Sequence, residues 1–159
     1  MDGQTQTAWP RGAPVVGQTA RRERAVSTRD IELFTQISGD RNPLHYDAEF
    51  AEASPFGAVI VQGGVTTAIL NAVVAEDLPG PGTVFLNLNL DFRAPVRPGD
   101  TITGEVEVVA VRPDKPITNL RVAVTRSDGV TAVEGTAVTY TAPPPTGWSP
   151  GVRSPGGPG

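Results

Sequence analysis

The chain of 159 residues contains no cysteine, so neither a disulfide framework nor a thiolate metal site is open to it. His45 is its only histidine and Lys115 its only lysine, which excludes a histidine-rich metal centre, and no metal is expected. There is no cationic run, and a formal net charge of −4 with a pI of 4.9 is a poor electrostatic footprint for nucleic acid. Long apolar runs are missing too: the main part of the longest uncharged stretch, Phe56 to Ala75, is broken by Gly57, Gln62, Gly63, Gly64 and Asn71. The start, Met1-Asp2-Gly3-Gln4, has neither the basic nor the apolar segment of a secretory signal. The expectation is a soluble cytoplasmic protein with no membrane or nucleic-acid partner.

Proline and glycine, by contrast, are abundant at the two ends. Residues 143–159 hold six Pro and five Gly in 17 positions, and residues 1–18 are rich in Gln, Thr, Pro and Gly. Such segments offer little to a core, so the reading is a flexible segment 1–18, one packed domain 19–142 and a disordered tail 143–159. Trp9 and Trp148 are the residues able to anchor these ends.

Inside the domain, Thr19 to Val26 is a candidate first strand. Ser27-Thr28-Arg29-Asp30 fits a helix start, and Ile31, Phe34 and Ile37 form an apolar stripe that ends at Gly39. Asn42 precedes Pro43, which predicts a loop over Asp40 to Leu44, and Asp47 is placed to cap a short helix through about Glu52. Val65, Ala68, Ile69, Ala72 and Val73 predict a buried helix beginning at Gly63 and Gly64. The period then changes to two, with Val84, Leu86, Leu88, Leu90 and Phe92 on one face of a strand and Asn87, Asn89 and Asp91 on the other. Turns at Arg97–Asp100, Arg112–Pro116 and Ser127–Gly129 separate it from strands at Ile102–Val111, Ile117–Thr125 and Val130–Tyr140. Four strands in succession read as an antiparallel meander, and the whole as a two-layer α+β domain.

Asp40 and His45 lie five positions apart in one loop, where a carboxylate and an imidazole can converge on one water as general acid and base. A cap and a surface histidine is the plainer reading of the same two residues. Gly63 and Gly64 at a helix start leave backbone N–H groups for a developing oxyanion, or simply permit close packing.

The run Ser38-Gly39-Asp40-Arg41-Asn42-Pro43-Leu44-His45 resembles the signature of hydratase 2, the MaoC-like (R)-specific enoyl-CoA hydratases. Ala58-Val59-Ile60-Val61-Gln62-Gly63 and the segment from Leu88 to Asp100 resemble two further stretches of that family, so the likeness spans roughly residues 20–142. The resemblance implies a hotdog fold, a central helix wrapped by a curved antiparallel sheet, assembled as a homodimer. It also implies that Asp40 and His45 add water to, or remove it from, a 2-enoyl or (R)-3-hydroxyacyl thioester. In that scheme Asp40 is the general base, His45 orients the water and helps to protonate the α-carbon, and the Gly63 amide polarises the thioester carbonyl. Asn42 is read as a loop-holding residue. Gln62, where many members carry His, and Asn71, near a common small hydroxyl residue, are departures expected close to the substrate.

No cofactor is implied, because coenzyme A or the phosphopantetheine of an acyl carrier protein is part of the substrate. Arg41, Arg93, Arg97 and Lys115 are candidates by type for the phosphates of coenzyme A. Two other hotdog classes compete. A thioesterase needs an acidic residue near the central helix, where only Glu76 and Asp77 are offered, at its far end. A non-catalytic thioester-binding or docking protein would account for Gln62, Asn71 and the tail.

Overall fold

The computed structural model describes residue 9 and residues 12–148. Strand β1 (Thr19–Ala25) leads into helix α1 (Thr28–Ser38), which starts where the sequence places it: the Asp30 carboxylate accepts the Ser27 N–H at 2.8 Å. Gly39 ends α1 at φ 76°, a left-handed conformation that costs glycine nothing. Two short helices follow, α2 (Pro43–Tyr46) and α3 (Ala48–Ala53). The expected loop therefore closes at Asn42, because Pro43 suits a first helical position and the Asn42 side chain caps the Leu44 N–H at 3.0 Å. Asp47 caps α3 through the Phe50 N–H, as the sequence suggests.

The central helix α4 (Gly63–Ala72) continues as a π-helical turn, Val73–Asp77, and is the core's axis. Its buried residues come in pairs, Val65 with Thr66, Ile69 with Leu70, Val73 with Val74, because the sheet curves round it and covers more than one stripe. Ala68, expected inside, lies on the outer face with Asn71. In α1, likewise, the inward positions are Ile31 and Thr35, and Ile37 is 83% exposed. The first helix meets α4 over a narrow seam, so the third residue of its apolar stripe has nothing to pack on.

Strands β2 (Thr83–Phe92), β3 (Thr101–Val111), β4 (Ile117–Arg126) and β5 (Thr131–Thr141) complete one antiparallel sheet of order β1-β3-β4-β5-β2. Only β3, β4 and β5 form a meander. The expected β2–β3 hairpin is replaced by a crossover, residues 93–100, that carries the chain from one edge of the sheet to the other. Its Val96 is buried and its ends are paired, Arg93 N–H to Ala132 O and Gly99 N–H to Val26 O, each at 2.8 Å. A bulge between Phe85 and Asn87 also breaks the alternation of β2, turning Phe85 toward the core while Val84 and Leu86 stay exposed.

The amino-terminal segment is not wholly free: Trp9 is buried, and its indole N–H donates to Arg112 O at 3.2 Å. Residues 149–159, most of the expected disordered tail, lie outside the described residues. Gly135 of β5 faces β2 so closely that a Cβ there would lie 1.9 Å from Asn89 O. Gly135→Ala must therefore push β2 off β5, and thermal unfolding should show a loss of about 1–3 kcal/mol.

Candidate active site

Asp40 follows the left-handed Gly39 immediately and is held from three sides. Its N–H donates to Ser38 Oγ at 3.1 Å, its carbonyl accepts from Thr35 Oγ1 at 2.8 Å, and its Oδ1 accepts the Asn42 N–H at 3.0 Å. Oδ2 is left for His45, whose Nε2 lies 3.5 Å away. The imidazole, buried in the turn of α2, places Nδ1 2.7 Å from the Ile60 carbonyl. A carbonyl only accepts, so Nδ1 carries a proton, and in the tautomer with that single proton Nε2 turns a lone pair toward Asp40. Two acceptors thus face one another within reach of a single water, which can donate to both. The spacing of Asp40 and His45 in the sequence does bring the pair together.

Ile60 also lines a cleft of about 300 Å³ whose other walls include Phe56, Gly63, Thr66, Phe92 and Arg93. Gly63 and Gly64 open α4, and the first amides of a helix have no acceptor inside it. The two glycines serve different ends. A Cβ on Gly64 would sit 2.0 Å from the Phe34 ring, so Gly64 is a packing glycine. Gly63 lines the cleft, where the Phe92 ring, 2.8 Å from a notional Cβ, stands over it.

Other expected site residues fall elsewhere. Asn42 caps α2, as the loop-holding reading has it. Asn71 is exposed on the outer face of α4, away from the cleft lining. Gln62 is 1% exposed and turns toward α1, donating from Nε2 to Ile31 O at 3.2 Å and to Thr35 Oγ1 at 3.1 Å. Its position next to Gly63 suggests a pocket residue; the helix start sends its side chain the other way. Gln62 Oε1 is buried with no partner among the described residues, which costs about 1–3 kcal/mol.

Of the candidate cations, Arg93 reaches the cleft wall but is paired with Asp91 and Glu134, each at 3.1 Å. Arg97 donates to Phe56 O at 2.7 Å and so ties down the cleft rim. At the far end of the central helix, Arg22 bonds Asp77 at 2.6 Å and holds its carboxyl below the usual carboxylate range. The cleft residues Phe56, Thr66 and Phe92 were not legible as site residues; Thr66 follows Gly63 by one helical turn, which is the signal that would have found it. Because the chain has one histidine, its ring ¹⁵N signals are unambiguous. At a pH where the ring is neutral they should report a protonated Nδ1 and a bare Nε2, and the opposite tautomer would contradict the Ile60 bond.

The chain is 39% identical over 123 residues to an (R)-specific enoyl-CoA hydratase of Aeromonas caviae, covering 77% of this chain and 92% of that protein. It is 42% identical over 100 residues to a 3-hydroxybutyryl-CoA dehydratase of Methylorubrum extorquens, covering 63% and 64% of the two chains. Among solved structures, an (R)-hydratase from A. caviae superposes with a TM-score of 0.77 at 37% identity, over 81% of this chain and 98% of that one. The five-stranded sheet round a central helix is the hotdog fold of these neighbours. Residues 13–133, three quarters of the chain, match the MaoC like domain, and the chain belongs to that family.

Proposed function

We propose that the protein is a hydratase/dehydratase that adds water across, or removes it to form, the 2,3 double bond of an acyl thioester, with Asp40 and His45 as its acid–base pair. The observation that carries the reading is the 3.5 Å approach of Asp40 Oδ2 to Nε2 of His45, beside a cleft that holds the first residue of α4. In hydration, His45 Nε2 and Asp40 both accept from one water. Asp40 takes its proton, the hydroxyl oxygen bonds to C3, and the electron pair of the double bond moves toward the thioester oxygen. The Gly63 N–H meets that developing charge, a contribution of about 3 kcal/mol for a well-aimed donor. The pair, with His45 assisting, then returns one proton to C2, so the enzyme ends as it began and the (R)-3-hydroxyacyl thioester leaves. The reaction balances without an oxidant or a cofactor, and coenzyme A or a carrier-bound phosphopantetheine enters as part of the substrate.

A thioesterase is disfavoured because the acidic residues of the central helix are unavailable: Asp77 is engaged by Arg22, and Glu76 is exposed at the same far end. Loss of the conjugated-thioester absorbance of crotonyl-CoA and longer 2-enoyl-CoAs tests the reading. Wild type should consume the band, while Asp40→Asn and His45→Ala should each slow it by about 10²–10⁴-fold. Thiol release without loss of the double bond would instead mark hydrolysis, and inertness toward every acyl-CoA and acyl carrier thioester would leave a binding protein.

The proposed assembly is a homodimer joined along β2. That strand is an edge of the sheet, ten residues long, and Leu88 and Phe92 lie 40% and 60% exposed on the side facing the helix, with Leu86 beside them at the bulge. An apolar edge of this length is a template for pairing unless something covers it. Light scattering should give twice the 16.6 kDa chain mass, and Leu88→Asp should shift the mass toward the monomer; a wild-type monomer would sink the assembly.

A further inference from the structure

We infer that Thr35, fed by Gln62 and Tyr46, is the positioning residue that sets Asp40 against His45; the inference rests on the proposed acid–base role of that pair. The Thr35 hydroxyl has one hydrogen and two lone pairs. Its hydrogen goes to the Asp40 carbonyl at 2.8 Å. Its remaining contacts, Gln62 Nε2 at 3.1 Å and the Tyr46 hydroxyl, must then both donate to it, and its capacity is complete. Each partner is tied elsewhere. Gln62 sends its second amide hydrogen to Ile31 O at 3.2 Å, and Tyr46 is the residue after His45 in α2. One hydroxyl therefore joins α1, the dyad loop, the dyad's own helix and the start of α4.

Asp40 needs such a joint. It belongs to no helix or strand, and its neighbour Gly39 is the most permissive residue in the segment. Ser38 Oγ, itself bonded to Phe34 O, holds its N–H to the end of α1, and the Asn42 turn holds its Oδ1 to a residue two positions on, but neither bond reaches α4. The Thr35 bond is what refers its backbone to the rest of the site, and hence fixes the direction of Oδ2. His45 is referenced separately, through Ile60 O. The separation of the two groups thus depends on two anchors, Ile60 O for the imidazole and Thr35 on the aspartate side. Gln62 is suited to the task because a primary amide has two donors, one for each of two acceptors 31 and 27 residues away in sequence, and does not titrate. Its unpartnered Oε1 is consistent with an amide kept for its donors.

The test compares Thr35→Val, which keeps the shape and removes the hydroxyl, with Thr35→Ser, which keeps the hydroxyl, and with Asp40→Asn. Crotonyl-CoA hydration should show kcat lowered roughly 10–100-fold in Thr35→Val with KM almost unchanged, and near wild type in Thr35→Ser. Wild-type kcat in Thr35→Val would overturn the inference, as would Thr35→Ser being as impaired as Thr35→Val, since packing and not the hydroxyl would then matter. The ring resonances of the single histidine supply a readout free of activity. In Thr35→Val they should move in the direction seen in Asp40→Asn, in Thr35→Ser they should stay, and an unmoved ring in folded Thr35→Val would overturn the positioning role. If wild type is inert to thioesters while the ring still responds in this way, the functional reading fails and the positioning role stands.

Discussion

Burial of the central helix against the curved sheet is the constraint from which the rest follows. Leu70, Val73 and Val74 have almost no exposure, and they meet Val106, Val108, Leu120, Val122 and Val124 from the inner face of the sheet. Packed along its inner face, the helix gives its first turn, Gly63 to Thr66, to the cleft. Its first amides at Gly63 are the donors that a buried helix leaves over, and the neighbouring segment from Phe56 to Val61 becomes a cleft wall because it must lead into that end. The dyad is hung on the same point, since Ile60, two residues before the helix cap, supplies the carbonyl that orients His45.

Around this axis the polar groups divide into those that hold and those that remain available. Asn42, Ser38, Thr35 and Gln62 are all consumed in bonds to the chain itself. What remains is short: one carboxylate oxygen and one imidazole nitrogen facing each other, and at the cleft the first residue of a helix. Addition of water to a polarised double bond asks for these three and little more, because the thioester carries its own electrophile. The orphaned oxygen of Gln62 shows that the holding network is not free of cost.

The exposed apolar face of β2 has the opposite character. Beyond the bulge its residues alternate, yet the helix leaves Leu88 and Phe92 partly uncovered, because α4 packs mainly over β3, β4 and β1 and touches this edge only at its ends. The single chain therefore carries more strand than its own helix can cover. That mismatch, and not any polar motif, is the physical basis for the proposed pairing of two sheets.

Local chemistry was legible in the sequence. The Ser27–Asp30 helix start, the Gly39 stop, the Asp47 cap and the strand segments are all decided within a few residues, where propensity and side-chain-to-backbone bonds act. So was the closeness of Asp40 and His45, since the two are separated by a single tight turn whose geometry Pro43 restricts. What tertiary structure decided are the choices between equivalent faces. Period alone cannot say that Ile37 is exposed and Thr35 buried, that β2 skips β3 to join β5, or that Gln62 points to α1 and not to the cleft. Each depends on partners many residues away, and the free energy that settles it is shared burial across elements, which no single segment contains.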